Sequence, residues 1–300
     1  MNAIATWILA IHGLVVAPQQ PPRFEQELRA TRLSDRLYVL EGGGGNVAVF
    51  IWDEGVLLVD DKIAPVSEKV KAAVAGLTPK PIRFVINTHW HPDHRGGNAA
   101  LAGAGAVIVA HENVRRRMSV DGFVAVFDRK MPASQPEALP VVTFTHDVTL
   151  HLGGEEISVT HVDAAHTDGD VFVRFGRANV LHLGDCYLNG SYPVIDYTNG
   201  GTYAGTIAAV GKALQLSDDS TQIIPGHGPI SNSRELGAWR DMLATILERV
   251  RRSAAGGKSL EEIKLERPAR DWDGRFPASF VTPDHVVEEA YRAVTGGPQH

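Results

Sequence analysis

The sequence predicts an α/β fold, and the alternation of two kinds of segment is the main reason. Short apolar runs with the length of β-strands alternate along the chain with longer segments that have helical periodicity. The 300 residues are 44% hydrophobic, which is enough to bury a substantial core. No internal repeat or low-complexity linker divides the sequence, so we expect one large domain, although the length alone would also allow two.

The first half of the chain shows this alternation clearly. Its predicted strands are residues 37–40, 46–52, 56–60, 83–87 and 106–110, and its predicted helices are residues 65–75, 97–102 and 112–118. The glycine run 42–45 predicts a flexible hairpin that could overhang a site. Residues 119–140 have no clear periodicity and contain three prolines, so we expect a loop on the substrate side.

The second half repeats the pattern. Its predicted strands are residues 141–144, 148–152, 157–162, 171–175, 179–182 and 222–224. A helix is expected over residues 203–216, and a long amphipathic helix over residues 233–252. Two further helices are expected near residues 260–266 and 284–294.

A cluster of metal-ligand residue types follows the predicted strand 83–87. The stretch contains His89, His91, Asp93 and His94 within six residues. Imidazole and carboxylate together suit a borderline divalent ion, zinc above all, and four candidate ligands exceed the three that one catalytic zinc usually takes. Alternating side-chain directions in extended chain place two of the imidazoles on one face, with His94 pointing elsewhere. The cluster therefore predicts two metal ions.

Further ligand candidates stand at three later strand ends. His166 lies between the predicted strands 157–162 and 171–175. Asp185 follows the strand 179–182 after Gly184, which permits a tight turn, and His227 follows the strand 222–224 between two glycines. These positions predict that several strand ends meet at one metal centre.

These ordered motifs resemble those of the metallo-β-lactamase superfamily of dinuclear metallohydrolases. The HxHxDH motif of that family and its later motifs match seven residues, which in chain order are His89, His91, Asp93, His94, His166, Asp185 and His227. The resemblance extends from about residue 37 to about residue 249. It implies an αββα four-layer sandwich with the metals at one edge of the two sheets, a catalytic domain over residues 23–252, and a C-terminal helical extension over residues 253–300 packed on that domain.

The resemblance also implies a role for each matched residue. Two zinc ions would be bound per chain, the first by His89, His91 and His166 and the second by Asp93, His94 and His227. Asp185 would bridge both ions, and Asp93 would also orient the attacking hydroxide. Asp60, at the end of the predicted strand 56–60, resembles the buried carboxylate that supports the metal loop in this family.

Two zinc ions roughly 3.5 to 4 Å apart can share a water and lower its pKa from ~15.7 toward ~7. The leading hypothesis is therefore a zinc hydrolase that uses a metal-bridging hydroxide to open small esters, lactones, thioesters or β-lactams. A dedicated β-lactamase is one alternative. A metal-dependent oxidoreductase of the same fold is an alternative of another class, and a zinc-stabilised binding protein without catalysis is the third.

The segment after Asp185 bears on the substrate. It contains no lysine of the kind with which one subclass of zinc β-lactamases grips the drug carboxylate. The hydroxyl and amide groups of Asn189, Ser191 and Tyr192 are the substrate-side candidates, although ordinary turn roles also suit them. The substrate is expected to be a small molecule.

Other titratable residues near the motifs receive structural roles. His161 and His182 lie in predicted strands, so we interpret them as interior groups that support the ligands. The sole cysteine, Cys186, is adjacent to Asp185, and we interpret it as a small neighbour instead of a ligand.

The remaining sequence features concern location and partners. Residues 3–17 form an apolar stretch that ends in small residues, so residues 1–17 are a possible signal peptide and a periplasmic or secreted location is expected, with the cytoplasm as the alternative. The stretch is too short to span a bilayer, and we expect no stable membrane span in the mature chain. The net charge of -6 and the lack of long basic runs make nucleic acid an unlikely partner. The oligomeric state stays open.

Overall fold

The computed structural model of the protein describes residues 27–276 and 281–296. The possible signal peptide, residues 1–17, lies outside these described residues. Two β-sheets form the centre of the structure, one with seven strands and one with six, and a separate two-stranded hairpin accompanies them. The described helices cover the outer faces of the two sheets.

The seven-stranded sheet belongs to the first half of the chain. Its strands, in the spatial order β1-β2-β3-β4-β5-β6-β9, are Arg29–Arg32 (β1), Leu37–Glu41 (β2), Val47–Trp52 (β3), Gly55–Val59 (β4), Ile82–Ile86 (β5), Val107–His111 (β6) and Val142–Phe144 (β9). Strands β4, β5, β6 and β9 pair in parallel, and β1 to β4 pair antiparallel. The hairpin between β6 and β9 consists of Gly122–Val124 (β7) and Arg129–Met131 (β8).

The six-stranded sheet belongs to the second half. Its strands, in spatial order, are Asp147–Leu152 (β10), Glu155–His161 (β11), Val171–Phe175 (β12), Val180–His182 (β13), Gln222–Ile224 (β14) and Ser231–Asn232 (β15). Strands β13 and β14 pair in parallel, and the other neighbours pair antiparallel.

Eight α-helices connect these strands or follow them in the described residues. They are Ser67–Leu77 (α1), Pro92–Arg95 (α2), Asn98–Gly103 (α3), Glu112–Met118 (α4), Tyr203–Gln215 (α5), Ser233–Ala255 (α6), Leu260–Glu266 (α7) and Pro283–Thr295 (α8). Within the described part of the chain, none of these helices is long and apolar enough to cross a bilayer.

Three apolar clusters define four layers. The innermost cluster lies between the two sheets and joins side chains such as Phe50 and Leu57 to Val173 and Phe175 of the opposite sheet. A second cluster packs α1 and α3 on the outer face of the first sheet. A third packs α5, α6, α7 and α8 on the outer face of the second sheet. The predicted α/β class and the αββα sandwich are therefore confirmed.

The structure adds elements that the sequence pattern did not predict. Residues 119–140 are not an irregular loop throughout, because they contain the β7–β8 hairpin. The edge strands β1 and β15 were also missed; β1 is largely exposed and rich in arginine, so it has no apolar alternation, and β15 has only two residues. Both depend on pairing with a neighbour for their conformation.

Strand direction explains where the site lies. The parallel strands β4 and β5 end at Val59 and Ile86, so Asp60 and the segment that begins at Asn87 leave the first sheet at the same edge. The parallel strands β13 and β14 end at His182 and Ile224 and lead to the turns that follow them in the second sheet.

Candidate metal centre

The segment after β5 presents its side chains through a change from extended to helical backbone. His91 has extended backbone angles and is the N-cap of the short helix α2. Pro92 occupies the first turn of that helix, where its missing N–H group costs nothing. His91 therefore leaves extended backbone, whereas Asp93 and His94 leave a helical turn. The expectation of an extended segment is wrong at His89, because the backbone bends at residues 88–90.

The seven predicted ligands form two groups. Within each group, one ligand atom per residue lies within 4.8 Å of every other. The first group is buried and consists of His89, His91, His166 and Asp185. The second consists of Asp93, His94 and His227.

Asp185 stands between the two groups. Its Oδ2 lies 3.7 Å from His166 Nε2 and 4.0 Å from His89 Nε2 in the first group. Its Oδ1 lies 3.1 Å from His94 Nε2 and 3.7 Å from His227 Nε2 in the second. One carboxylate thus turns one oxygen toward each group, which is the arrangement that a bridging ligand needs.

Two glycines allow the ligands to approach this closely. A Cβ at Gly226 would lie 1.9 Å from Asp185 Oδ1, so a side chain there would exclude the carboxylate. A Cβ at Gly45 would lie 2.2 Å from the Cε1 atom of His94. The glycine segment that was predicted to overhang a site therefore packs against one of the candidate ligands.

Buried acceptors fix the orientation of His89 and His94. Thr88 donates its hydroxyl to Asp60 Oδ2 at 2.8 Å, so its oxygen accepts from His89 Nδ1 at 3.0 Å. His94 Nδ1 donates to Asp60 Oδ2 at 2.7 Å. In the His89 ring Nε2 is therefore left with its lone pair, which faces the centre, whereas His94 Nε2 lies 3.1 Å from Asp185 Oδ1.

His91 and His166 are fixed in the same way by other acceptors. His91 Nε2 donates to Asp196 Oδ2 at 2.9 Å, and His166 Nδ1 donates to the carbonyl of Val194 at 2.6 Å. The remaining nitrogens, His91 Nδ1 and His166 Nε2, are 2.8 Å apart. Two nitrogen lone pairs at this distance repel each other unless a cation lies between or beside them.

The electrostatics of the centre favour cations. Burial, followed by the neighbouring imidazoles, lowers the pKa of His89 well below its ordinary value. Burial also opposes a charge on His94, but Asp185, Asp60 and Asp93 outweigh it and raise the pKa of His94 well above its ordinary value. Burial would raise the pKa of the Asp185 carboxyl, yet the imidazoles around it, His94 first, hold that pKa well below the usual range. The carboxylates are thus negative, and either protonated His94 or a bound metal cation can balance their charge.

The donor set fits two divalent ions such as zinc. His89 Nε2 is buried and has no hydrogen-bond partner among the residues that the structure describes. A buried polar atom without a partner is costly, and coordination of a cation removes that cost. Neutral imidazoles combined with carboxylates are the ligands that zinc takes in catalytic sites.

Asp60 has the contacts that its predicted support role requires. The side chain is buried, and its Oδ1 accepts from the backbone N–H of Thr88 at 2.7 Å. With its bonds from the Thr88 hydroxyl and His94, this one carboxylate orients two imidazoles at once. Its backbone φ of 66° is in the left-handed region, where a non-glycine residue is strained.

The three substrate-side candidates differ in their surroundings. The Asn189 backbone N–H donates to the carbonyl of His227 at 3.0 Å, so this residue is attached to a ligand segment, while its side-chain amide donates to the carbonyl of Pro229. Ser191 donates its hydroxyl to the carbonyl of Tyr192 at 2.9 Å. Tyr192 is only 2% exposed and belongs to the cluster beneath the second sheet.

The residues that were assigned structural roles occupy interior positions. His182 is buried and its Nε2 donates to the carbonyl of Asn46 at 3.2 Å. Cys186 is buried, and its Sγ lies 3.5 Å from Asp170 Oδ2. His161 donates from Nδ1 to the Asp170 carbonyl at 3.0 Å.

Two supporting acids were missed by sequence reasoning. Asp196 is fully buried and binds His91, and Asp170 accepts from the backbone N–H groups of His166 and Thr167 at 2.7 and 2.8 Å. Asp170 lies in the same turn as His166, so its position gave a local signal. Asp196 is 105 residues from its partner and follows no motif, so only the fold reveals it.

The fold and the centre define a class of protein, and comparison with known families identifies it. The model of the metallo-beta-lactamase superfamily matches residues 37–231. The chain therefore belongs to the metallo-beta-lactamase superfamily, whose chemistry is hydrolytic, and the predicted resemblance is confirmed.

Characterised relatives are more distant. A hydroxyacylglutathione hydrolase from Polaromonas sp. (strain JS666 / ATCC BAA-500) is 28% identical over 174 residues, which are 57% of this chain and 58% of that protein. The 2,4-dinitroanisole O-demethylase subunit alpha from Nocardioides sp. (strain JS1661) is 24% identical over 251 residues, 80% of this chain and 71% of that protein. The chain thus spans little more than half of the first relative.

Solved structures support the same fold. A metallo-beta-lactamase from Pontibacter korlensis superposes with a TM-score of 0.59 at 21% identity, covering 72% of this chain and 99% of that chain. The inverting sec-alkylsulfatase Pisa1 from Pseudomonas sp. superposes with a TM-score of 0.67 at 18% identity, covering 91% of this chain and 51% of that chain.

Proposed function

We propose that the protein is a dinuclear zinc hydrolase of small esters, lactones, thioesters or β-lactams. The first zinc would be held by His89, His91 and His166, the second by Asp93, His94 and His227, and Asp185 would contact both. Two bound zinc ions would supply Lewis acidity and a water of lowered pKa. The side chains of the protein would carry out the other steps of the reaction.

One observation carries the proposal. The buried imidazoles of His89, His91 and His166 each give their outer nitrogen to a hydroxyl, a carboxylate or a carbonyl, so three lone pairs point inward. A structural histidine cluster would use inward N–H groups as donors to protein acceptors. Three inward lone pairs beside Asp185 Oδ2 favour a divalent ion in the first group, and the carboxylates of Asp93 and Asp185 beside His94 and His227 offer ligands for a second.

Asp93 lies at the accessible side of the centre. The Asp93 and His227 side chains are 23% and 29% exposed, whereas His89, His94 and Asp185 are 8% exposed or less. Asp93 Oδ2 lies 3.2 Å from His227 Nε2. A carboxylate in this position would orient a water that enters from solvent and accept its proton, which is the catalytic role that we propose for Asp93.

The similarity to a hydroxyacylglutathione hydrolase supports hydrolysis of an acyl substrate. A dedicated β-lactamase is the competing proposal within the same chemistry. The lack of a lysine in residues 186–192, directly after Asp185, favours neutral substrates, because a charge-assisted contact to a drug carboxylate is worth ~1.5 to 3 kcal/mol.

Elemental analysis and a substrate panel test the proposal. Protein loaded with zinc and freed of excess metal should contain two equivalents, and chelation should abolish hydrolysis reversibly. The panel consists of chromogenic esters, lactones, thioesters, cephalosporins and 2,4-dinitroanisole. His151→Ala, at an exposed histidine outside both groups, is the matched control for His89→Ala. Iron in place of zinc, or fewer than two metals, would contradict the dinuclear zinc proposal, and turnover of cephalosporins alone would favour the dedicated β-lactamase.

A further inference from the structure

The segment from Val120 to Phe127 exposes an unusual amount of apolar surface. Val120 is 58% exposed, Phe123 41% and Phe127 43%, and these are three of the six exposed large hydrophobic side chains among the described residues. Phe123 lies in β7, and Phe127 lies in the turn that leads to β8. Grouped exposed apolar residues indicate a binding surface more often than single ones do.

This segment lies beside the metal centre. The ring of Phe127 contacts the ring of His91 edge to face, with centroids 6.0 Å apart and an interplanar angle of 72°. His91 is itself almost fully buried and turns its Nδ1 toward His166. The exposed surface of Phe127 is therefore continuous with a candidate ligand of the first metal.

Hydrogen bonds hold the segment in this position. The carbonyl of Phe123 accepts from Asn199 Nδ2 at 2.9 Å, and Thr198 Oγ1 lies 3.1 Å from the same carbonyl. Asn199 Nδ2 also donates to Asp196 Oδ2 at 2.7 Å, and the same carboxylate oxygen binds His91. One network thus positions both the metal ligand and the aromatic segment, so the apolar surface is preorganised next to the reacting group.

We propose that Phe127 is the specificity-determining surface that binds an apolar aryl or alkyl group of the substrate. The inference rests on the proposed zinc hydrolase, and it names the substrate class for that site. The group would lie against Phe127 with the scissile bond toward His91. An aromatic ring gains from both area burial and edge-to-face contact, so aryl groups should be preferred over methyl.

Binding of two hydroxamic acids to the zinc-loaded protein tests this without relying on turnover. Acetohydroxamic and benzohydroxamic acid share the zinc-binding group and differ in the apolar part. We expect calorimetry to give benzohydroxamic acid at least about tenfold the affinity of acetohydroxamic acid. Phe127→Ala should reduce that ratio to about threefold or less while the affinity for acetohydroxamic acid stays the same.

Two further variants make the test specific. Leu265→Ala removes a side chain that is 83% exposed on α7, and it should leave the ratio unchanged. Phe127→Leu keeps apolar bulk and should retain an intermediate ratio, with two zinc equivalents in every variant. An unchanged ratio in Phe127→Ala would overturn the inference and leave the hydrolase proposal standing. Failure of both acids to bind would overturn the proposed open zinc centre, and the inference with it.

Discussion

Replacement of Asp196 should weaken zinc binding in the first group selectively. The carboxylate is fully buried, and it accepts from His91 and Asn199 on Oδ2 and from Thr198 on Oδ1 at 2.6 Å. Burial would raise its pKa, but the hydrogen bond and charge interaction with His91 outweigh that effect and lower it, so the group is negative. It therefore fixes the tautomer in which His91 Nδ1 is free to bind metal.

The structure also sets the expected size of the effect. In Asp196→Asn the amide oxygen can still accept from His91, and the NH₂ group can face the Thr198 hydroxyl. Mutation of a residue that hydrogen-bonds a metal ligand costs about 10- to 100-fold in metal affinity, and we expect the lower value, about tenfold, for this variant. In Asp196→Ala the buried His91 Nε2–H loses its acceptor, and we expect about a hundredfold loss. These factors correspond to about 1.4 and 2.8 kcal/mol.

Stepwise zinc affinities, measured by competition with a chromophoric chelator, would check this prediction. One of the two binding steps should weaken, while the step assigned to Asp93, His94 and His227 should not. Asp168→Asn is the control. Asp168 pairs with Arg117 close to the turn that contains Asp196, but its side chain does not contact an imidazole. Two unchanged affinities in a folded Asp196→Ala protein would refute the positioning role.

Three other predictions follow from different parts of the chain. Asp93→Asn should keep the melting temperature of the zinc-free protein and lower kcat by roughly two to four orders of magnitude, and near-normal turnover would remove Asp93 from catalysis. His285 Nε2 lies 3.0 Å from Glu289 Oε1, and this contact outweighs the opposing effect of burial and raises the pKa of His285. Its stabilising contribution should be complete below a pH of about 6.5 and disappear as the pH rises through the raised pKa, so His285→Gln should lower stability at pH 5.5 and have little effect at pH 9; equal losses would contradict this. Export predicts that the mature chain begins after Ala17 or shortly beyond it, and a mass spectrum showing an intact Met1 in the cytoplasm would argue against export.

The sequence was most informative where chemistry and secondary structure coincide locally. Strands such as 171–175 and 222–224 were predicted with the bounds that the structure shows, because each is a short apolar run that ends in polar or glycine residues. The spacing of His89, His91, Asp93 and His94 within six residues of sequence indicates metal binding. The number of metals was predicted from the surplus of local ligands, whereas the assignment of each residue to one of two groups came from the resemblance to the family.

Features that depend on tertiary contacts could not be predicted in this way. The β7–β8 hairpin has a short apolar run that is exposed, so its sequence pattern resembles that of a loop. A tertiary contact, the hydrogen bond from the Asn199 amide to the Phe123 carbonyl, helps to fix its conformation. Asp196 has no neighbouring motif, and its role follows only from the 2.9 Å contact with His91. Local sequence thus determines which atoms can bind a metal, whereas the fold determines which of their lone pairs face it.

The orientation of the imidazoles also affects the stability of the folded protein. The Thr88 hydroxyl, Asp196 and the Val194 carbonyl hold three imidazoles with their lone pairs inward, and no donor on the described residues reaches His89 Nε2. Without a cation, this arrangement leaves buried nitrogens unsatisfied and, at 2.8 Å between His91 and His166, in mutual repulsion. Metal binding removes both costs, and it adds stability in proportion to the logarithm of free metal over the dissociation constant. The acceptors that orient the imidazoles would therefore couple metal occupancy of the proposed centre to the stability of the whole sandwich.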